Sequence, residues 1–127
     1  MLLSIVVLSY NRPDQIQRIL ENLKNSSSFN FNLIIKDDCS PRWLEIQNVV
    51  EKYRSQLNFE IIFHKNKINL GYDKNLLDAF YIADSDYIFL LSDDDYVNGQ
   101  YLGHLSDLLL VGEYRFYYVP YLNHDVS

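Results

Sequence analysis

Apolar residues fill positions 2–8 almost without a break, then give way to Ser9, Tyr10, Asn11 and Arg12. A short, β-branched run closed by polar residues is the pattern of a strand buried on both faces. After Pro13 the period changes. Ile16, Ile19, Leu20 and Leu23 fall on one helical stripe, with Gln15, Gln17, Arg18 and Glu21 opposite. The alternation then repeats. Residues 33–35 read as a second strand, closed by Asp37, Asp38, Cys39 and Ser40. Ser40 and Pro41 suit an N-cap and a first helical position, and Trp43, Ile46, Val50 and Tyr53 carry the stripe onward. Residues 59–63 form a third strand, 66–72 a loop containing Gly71, and 73–83 a helix with Leu76, Leu77 and Phe80 inward. A fourth strand over 87–91, a fourth helix over 101–110 and a Tyr-rich fifth strand over 115–119 complete the series. Strand and helix alternating through short connections predict an α/β fold with a largely parallel central sheet flanked by helices, organised as a single domain.

Composition narrows the functional classes. The 127 residues carry a net charge of −6, and 48% are hydrophobic, which is enough to build a core and excludes a disordered chain. The acidic balance argues against non-specific binding to nucleic acid or to anionic lipid, so an anionic ligand needs a local Arg, Lys or metal. Cys39 is the single cysteine, which rules out an internal disulfide and a Cys-based zinc site and goes with a cytoplasmic setting. The apolar start lacks a basic flank and reads as a core strand, and no apolar run approaches the roughly 20 residues that span a bilayer.

The candidate chemistry lies where the strands end. In an open parallel sheet, ligands bind outside the carboxyl ends of the strands. Those ends carry Ser9, Tyr10, Asn11 and Arg12; Asp37 and Asp38; Lys65, Asn66 and Asn69 to Gly71; and Asp93, Asp94 and Asp95. Three adjacent carboxylates repel one another unless exposed or neutralised, and a hard divalent cation, Mg²⁺ or Mn²⁺, would neutralise them while taking its remaining ligands from phosphate and water. Alone, the run reads more readily as an exposed acidic turn; with the other strand ends it favours the metal. Asp37 and Asp38 fit either a turn before a helix or a carboxylate that accepts an N–H from a heterocycle. Tyr10 offers a face for a base or for rim packing. Arg12 and Lys74 suit phosphate oxygens or plain solvation. Gly71 fits an unusual backbone angle. His64, His104 and His124 show no metal-ligand spacing, and no Gly-rich phosphate loop is present.

Four pieces, in order, resemble the family 2 glycosyltransferases of the GT-A fold. They are Ser4-Ile5-Val6-Val7-Leu8-Ser9-Tyr10-Asn11-Arg12, Ile35-Lys36-Asp37-Asp38-Cys39-Ser40, Asn69-Leu70-Gly71-Tyr72-Asp73-Lys74-Asn75, and Ala83-Asp84-Ser85-Asp86-Tyr87-Ile88 leading into Ser92-Asp93-Asp94-Asp95. The resemblance implies a Rossmann-like domain that binds a nucleotide-diphosphate sugar, UDP-linked in the favoured reading. It implies a nucleotide pocket of Ser9, Tyr10, Asn11, Arg12, Asp38, Asn69, Gly71, Lys74 and Asp93, with Asp38 on the uracil ring. It also implies Mn²⁺ or Mg²⁺ held by Asp94 and Asp95, although Ser92 stands where a first Asp is common and leaves the register open among Asp93, Asp94 and Asp95. The implied reaction moves the sugar, with inversion, to a hydroxyl of a glycan or lipid-linked acceptor, in the cytoplasm or at the inner face of the membrane. Its catalytic base is expected in an acceptor-binding half beyond residue 119, so the chain is expected to be a truncated, donor-binding part.

Competing motifs fit less well. Asp93-Asp94-Asp95-Tyr96-Val97 matches the haloacid dehalogenase pattern, but the stretch after it is too short for that motif's Ser/Thr, Lys and acidic partners. A two-component receiver domain wants an Asp at the end of its middle strand, where Phe63-His64-Lys65 stands. A non-catalytic nucleotide-sugar-binding domain shares every residue argument above. The Tyr-rich 115–119 stretch is expected to act as an exposed strand or a homodimer edge.

Overall fold

The computed structural model describes residues 1–24, 31–95 and 99–111. Four strands and four helices alternate: β1 (Leu3–Ser9), α1 (Pro13–Leu23), β2 (Phe31–Asp37), α2 (Trp43–Arg54), β3 (Ile61–Lys65), α3 (Tyr72–Ile82), β4 (Tyr87–Leu91) and α4 (Gly99–Val111). The strands form one sheet in the order β3-β2-β1-β4, and each neighbouring pair is parallel. The predicted fifth strand over 115–119, and the dimer edge expected there, lie outside the described residues.

The two faces of the sheet differ. Odd-numbered residues of the central strands, among them Ile5, Val7, Leu33 and Ile35, join the apolar stripes of α1, α2 and α4 in one large core. Among the described residues, even-numbered Val6 and Ile34 form a smaller cluster with Ala79 of α3, with Leu8, Ile62, Ile82 and Ala83 partly buried around them. This follows from handedness. The crossovers from β1 to β2 and from β2 to β3 step one way across the sheet, whereas β3 to β4 steps back, so right-handed connections put α3 on the opposite face. Strand order therefore reverses between β1 and β4, and a crevice opens at their carboxyl ends.

Three expectations are corrected. α2 begins at Trp43, not at Ser40. The Ser40 hydroxyl donates to Asp37 Oδ1 at 2.9 Å instead of capping the helix, so Pro41 and Arg42 are spent on a turn. β3 runs two residues later than its apolar run, because Phe59 stacks on Phe31 at 4.4 Å before the ladder begins. α3 is rotated: Asn75 and Ala79 face inward, while Leu77 is 55% and Phe80 41% exposed. The cause is Lys36, fully buried at the carboxyl end of β2. A buried ammonium must be hydrogen-bonded, and α3 supplies Asn75 and Asp78 from the face that would otherwise be apolar.

Candidate functional site

A cleft of about 550 Å³ occupies the crevice between β1 and β4. Ser9, Tyr10 and Arg12 wall it from the end of β1, and Ser92, Asp93 and Asp95 from the end of β4. Asp38, Asn69, Gly71, Tyr72 and Asn75 close the third side, with Leu8, Leu90 and Leu91 supplying apolar surface. Of the residues proposed from sequence, Ser9, Tyr10, Arg12, Asp38, Asn69, Gly71, Asp93 and Asp95 meet here.

Asn11, Lys74 and Asp94 do not line the cleft. Asn11 takes a left-handed conformation (φ 58°) that short polar side chains tolerate. Its Oδ1 accepts the Arg42 N–H at 3.0 Å, which ties the β1–α1 elbow to the start of α2. Lys74 is exposed on the first turn of α3, a helix turned so that Asn75 faces the cleft instead. Asp94 points outward to Arg12, with Nη2 to Oδ1 at 2.5 Å.

Asp37 and Asp38 divide their roles. Asp37 is wholly buried and accepts the Ser40 N–H at 3.0 Å as well as its hydroxyl, which is the turn-forming use of an Asp. Asp38 reaches across the sheet edge to the loop after β3. Its Oδ1 accepts Leu70 N at 2.6 Å and Asn66 Nδ2 at 3.0 Å, and its Oδ2 accepts Gly71 N at 2.9 Å. A carboxylate oxygen has two acceptor positions, so Oδ2 keeps one for a ligand. Asn69 Nδ2 donates to the Asp38 carbonyl at 3.2 Å and completes the clasp.

Behind this clasp lies a polar network that was not assigned a role from sequence. Lys36 Nζ donates to Asn66 Oδ1 and, at 3.3 Å, to Asn75 Oδ1. Asn66 Nδ2 bridges Asn75 Oδ1 at 2.7 Å to Asp38. The Asp78 carboxyl is held below the usual carboxylate range, chiefly by its hydrogen bond from Lys36. The signal was a lysine inside an otherwise apolar strand.

The acidic turn is partly neutralised from within. Arg12 Nε lies 3.3 Å from Asp93 Oδ2. Burial pushes the Asp93 carboxyl upward, with Arg12 working against that shift and Asp94 adding to it. Asp95 Oδ2 accepts the Ser92 N–H at 3.1 Å, which closes the turn with Ser92 in a structural position. Among the described residues no group of three or more His, Cys, Asp or Glu is placed to hold an ion. Asp93 and Asp95 nonetheless give the cleft two hard carboxylates. That is the protein share a Mg²⁺ or Mn²⁺ site takes when phosphates and water complete the shell, so the donor set fits such an ion together with a phosphate ligand. On the β1 side, the buried Ser9 hydroxyl has no hydrogen-bond partner among the described residues.

None of the described helices is long and apolar enough to cross a membrane. The abequosyltransferase RfbV of Salmonella typhimurium is 32% identical over 97 residues, a match covering 75% of this chain and 28% of that protein. The Staphylococcus aureus TarS 1-349 structure in complex with UDP-GlcNAc superposes with a TM-score of 0.75 at 27% identity, covering 87% of this chain and 32% of that one. The Pyrobaculum calidifontis mannosyltransferase PcManGT, solved with GDP-Man and Mn²⁺, shares the fold at TM-score 0.64 and 15% identity. The chain thus spans about a third of the length of these relatives. With the glycosyl transferase family 2 model matching residues 4–126, and with a fold shared with these solved glycosyltransferases, the chain belongs to glycosyl transferase family 2.

Proposed function

We propose that the cleft binds the nucleoside diphosphate of a sugar donor, a UDP-sugar in the favoured reading, and that this stretch is the donor-binding part of a transferase. The observation that carries the proposal is the meeting of Asp93 and Asp95 with Tyr10, Asp38 and Asn75 around one cleft at the switch point of the sheet. Tyr10, 49% exposed at the rim, presents its ring to a base. The remaining acceptor position on Asp38 Oδ2 suits an N–H of a pyrimidine. Asn69, which keeps one side-chain N–H beyond its bond to the Asp38 carbonyl, is read as a donor to ribose or phosphate. A divalent cation on Asp93 and Asp95 would stabilise the charge that develops on the diphosphate leaving group. Asp94, turned away, is left out of that pair. A base on the acceptor side would then take the proton of the attacking hydroxyl, giving inversion. The acceptor class that goes with this reading is a glycan or lipid-linked sugar, in the cytoplasm or at the membrane's inner face.

Calorimetric titration with UDP, GDP and ADP, each with and without Mn²⁺, tests the reading. UDP binding that needs Mn²⁺, and is lost in Asp93→Ala and Asp95→Ala, is the expected result. A folded chain that binds none of the three nucleotides would overturn it.

A further inference from the structure

Arg12 both lines the cleft and pairs with the acidic turn beside it. It lines the cleft from the β1 side, at the residue preceding α1. Its guanidinium forms ion pairs with Asp93 at 3.3 Å and with Asp94 at 2.5 Å. Asp93 is one of the three carboxylates that line the cleft, with Asp38 and Asp95. The Arg12 side chain is 38% exposed and that of Asp93 13%, so the guanidinium keeps access to solvent and can leave a carboxylate that is itself mostly covered. A planar guanidinium is also the side chain best matched to the oxygens of a phosphate.

We propose that Arg12 is an exchangeable counter-ion, a positioning residue that holds the acidic turn and passes to the diphosphate when a divalent cation takes Asp93. The inference rests on the nucleotide-diphosphate reading above. A guanidinium and a divalent cation on one carboxylate repel each other, so Arg12 opposes the cation at Asp93. The diphosphate gives the displaced guanidinium a new anion within the same cleft. Arg12 therefore opposes the metal when it arrives alone and favours the metal together with nucleotide. It makes the two ligands bind as a pair. Arg18 is the natural comparison, because it also lies by the turn, with Nη2 3.4 Å from the Asp93 carbonyl, but does not line the cleft.

Opposite signs in two titrations test this. For Arg12→Met, Mn²⁺ alone is expected to bind about threefold to fivefold more tightly, the size of one exposed ion pair. UDP in saturating Mn²⁺ is expected to bind about tenfold more weakly, the size of one charge-assisted hydrogen bond. Arg18→Met, which removes a charge beside the same turn, is expected to leave UDP affinity unchanged. Circular dichroism confirms that each variant is folded. Both affinities falling together in Arg12→Met, Mn²⁺ affinity equal to wild type, or Arg18→Met reproducing both shifts would each overturn the inference. If wild type still binds UDP with Mn²⁺ in those cases, the nucleotide reading stands. If wild type binds no UDP with or without Mn²⁺, both fall.

Discussion

Lys36 Nζ lies 2.7 Å from a carboxylate oxygen of Asp78, joining the middle of the sheet to a helix residue that is 44% exposed. The same ammonium also holds Asn66 and Asn75, the second of which lines the cleft, since both amides turn their oxygens toward it. Asn66 is thereby left with its N–H groups facing Asn75 and Asp38. Lys36→Met keeps the length of the side chain and removes the donor. It is expected to destabilise the fold by about 2–3 kcal/mol, because buried acceptors lose their partner. Chemical denaturation would show this as a lower midpoint at an unchanged slope. A midpoint equal to wild type would mean that water replaces the ammonium.

The same pair sets a pH dependence. Asp78 has a depressed carboxyl pKa in the folded chain, so it releases its proton more readily there than when unfolded. Its contribution is therefore fully present above the ordinary carboxylate value of about 4, and is lost as pH falls through the lowered folded value. Asp78→Asn is expected to be less stable than wild type at pH 7, and the gap is expected to close at the acid end. Denaturation midpoints measured from pH 7 down to pH 2 would test this. A gap that stays constant with pH would remove the Lys36 pairing as its cause.

The order of elements was legible because buried parallel strands read as unbroken apolar runs, as at Ile5, Val6 and Val7 or at Leu33, Ile34 and Ile35. The convergence of Ser9, Asp38, Gly71 and Asp93 followed from that order alone, since each sits at the carboxyl end of a strand or in the connection that follows it. The facing of α3 was not legible. Leu76, Leu77 and Phe80 make the stronger apolar stripe, yet the buried charge of Lys36 decides which side turns in. The register of the acidic turn was hidden for a related reason. Three consecutive Asp residues are equivalent in sequence, and only the Ser92–Asp95 closure and the Arg12 ion pairs send Asp94 outward.

Asp38 carries a structural task that exists without any ligand. Three N–H groups converge on its carboxylate, two of them backbone groups of the loop before α3. Asp38→Asn places an N–H where one of those donors now sits. It is expected to cost about 1–3 kcal/mol through unpaired buried donors and to weaken UDP binding by loosening the cleft wall. Amide exchange at Leu70 and Gly71 should accelerate selectively, relative to amides of β1. Unchanged exchange at those two positions would mean that the carboxylate acts on ligand alone.

Gly71 separates backbone strain from crowding. Its φ of 83° and ψ of 165° lie in a region populated almost only by glycine. A Cβ placed there would meet nothing within 4 Å. Gly71→Ala is therefore expected to cost about 1–3 kcal/mol from backbone conformation alone. It should also weaken nucleotide binding, because the Gly71 N–H is one of the donors that fix Asp38. Gly71→Asn distinguishes the kind of strain. Asn tolerates the left-handed helical region, as Asn11 does at φ 58°, but gains nothing at this ψ. The two variants should be destabilised equally in denaturation experiments. A clear recovery in Gly71→Asn would show that the loop can relax to a left-handed helical conformation and that the clasp on Asp38 tolerates the change.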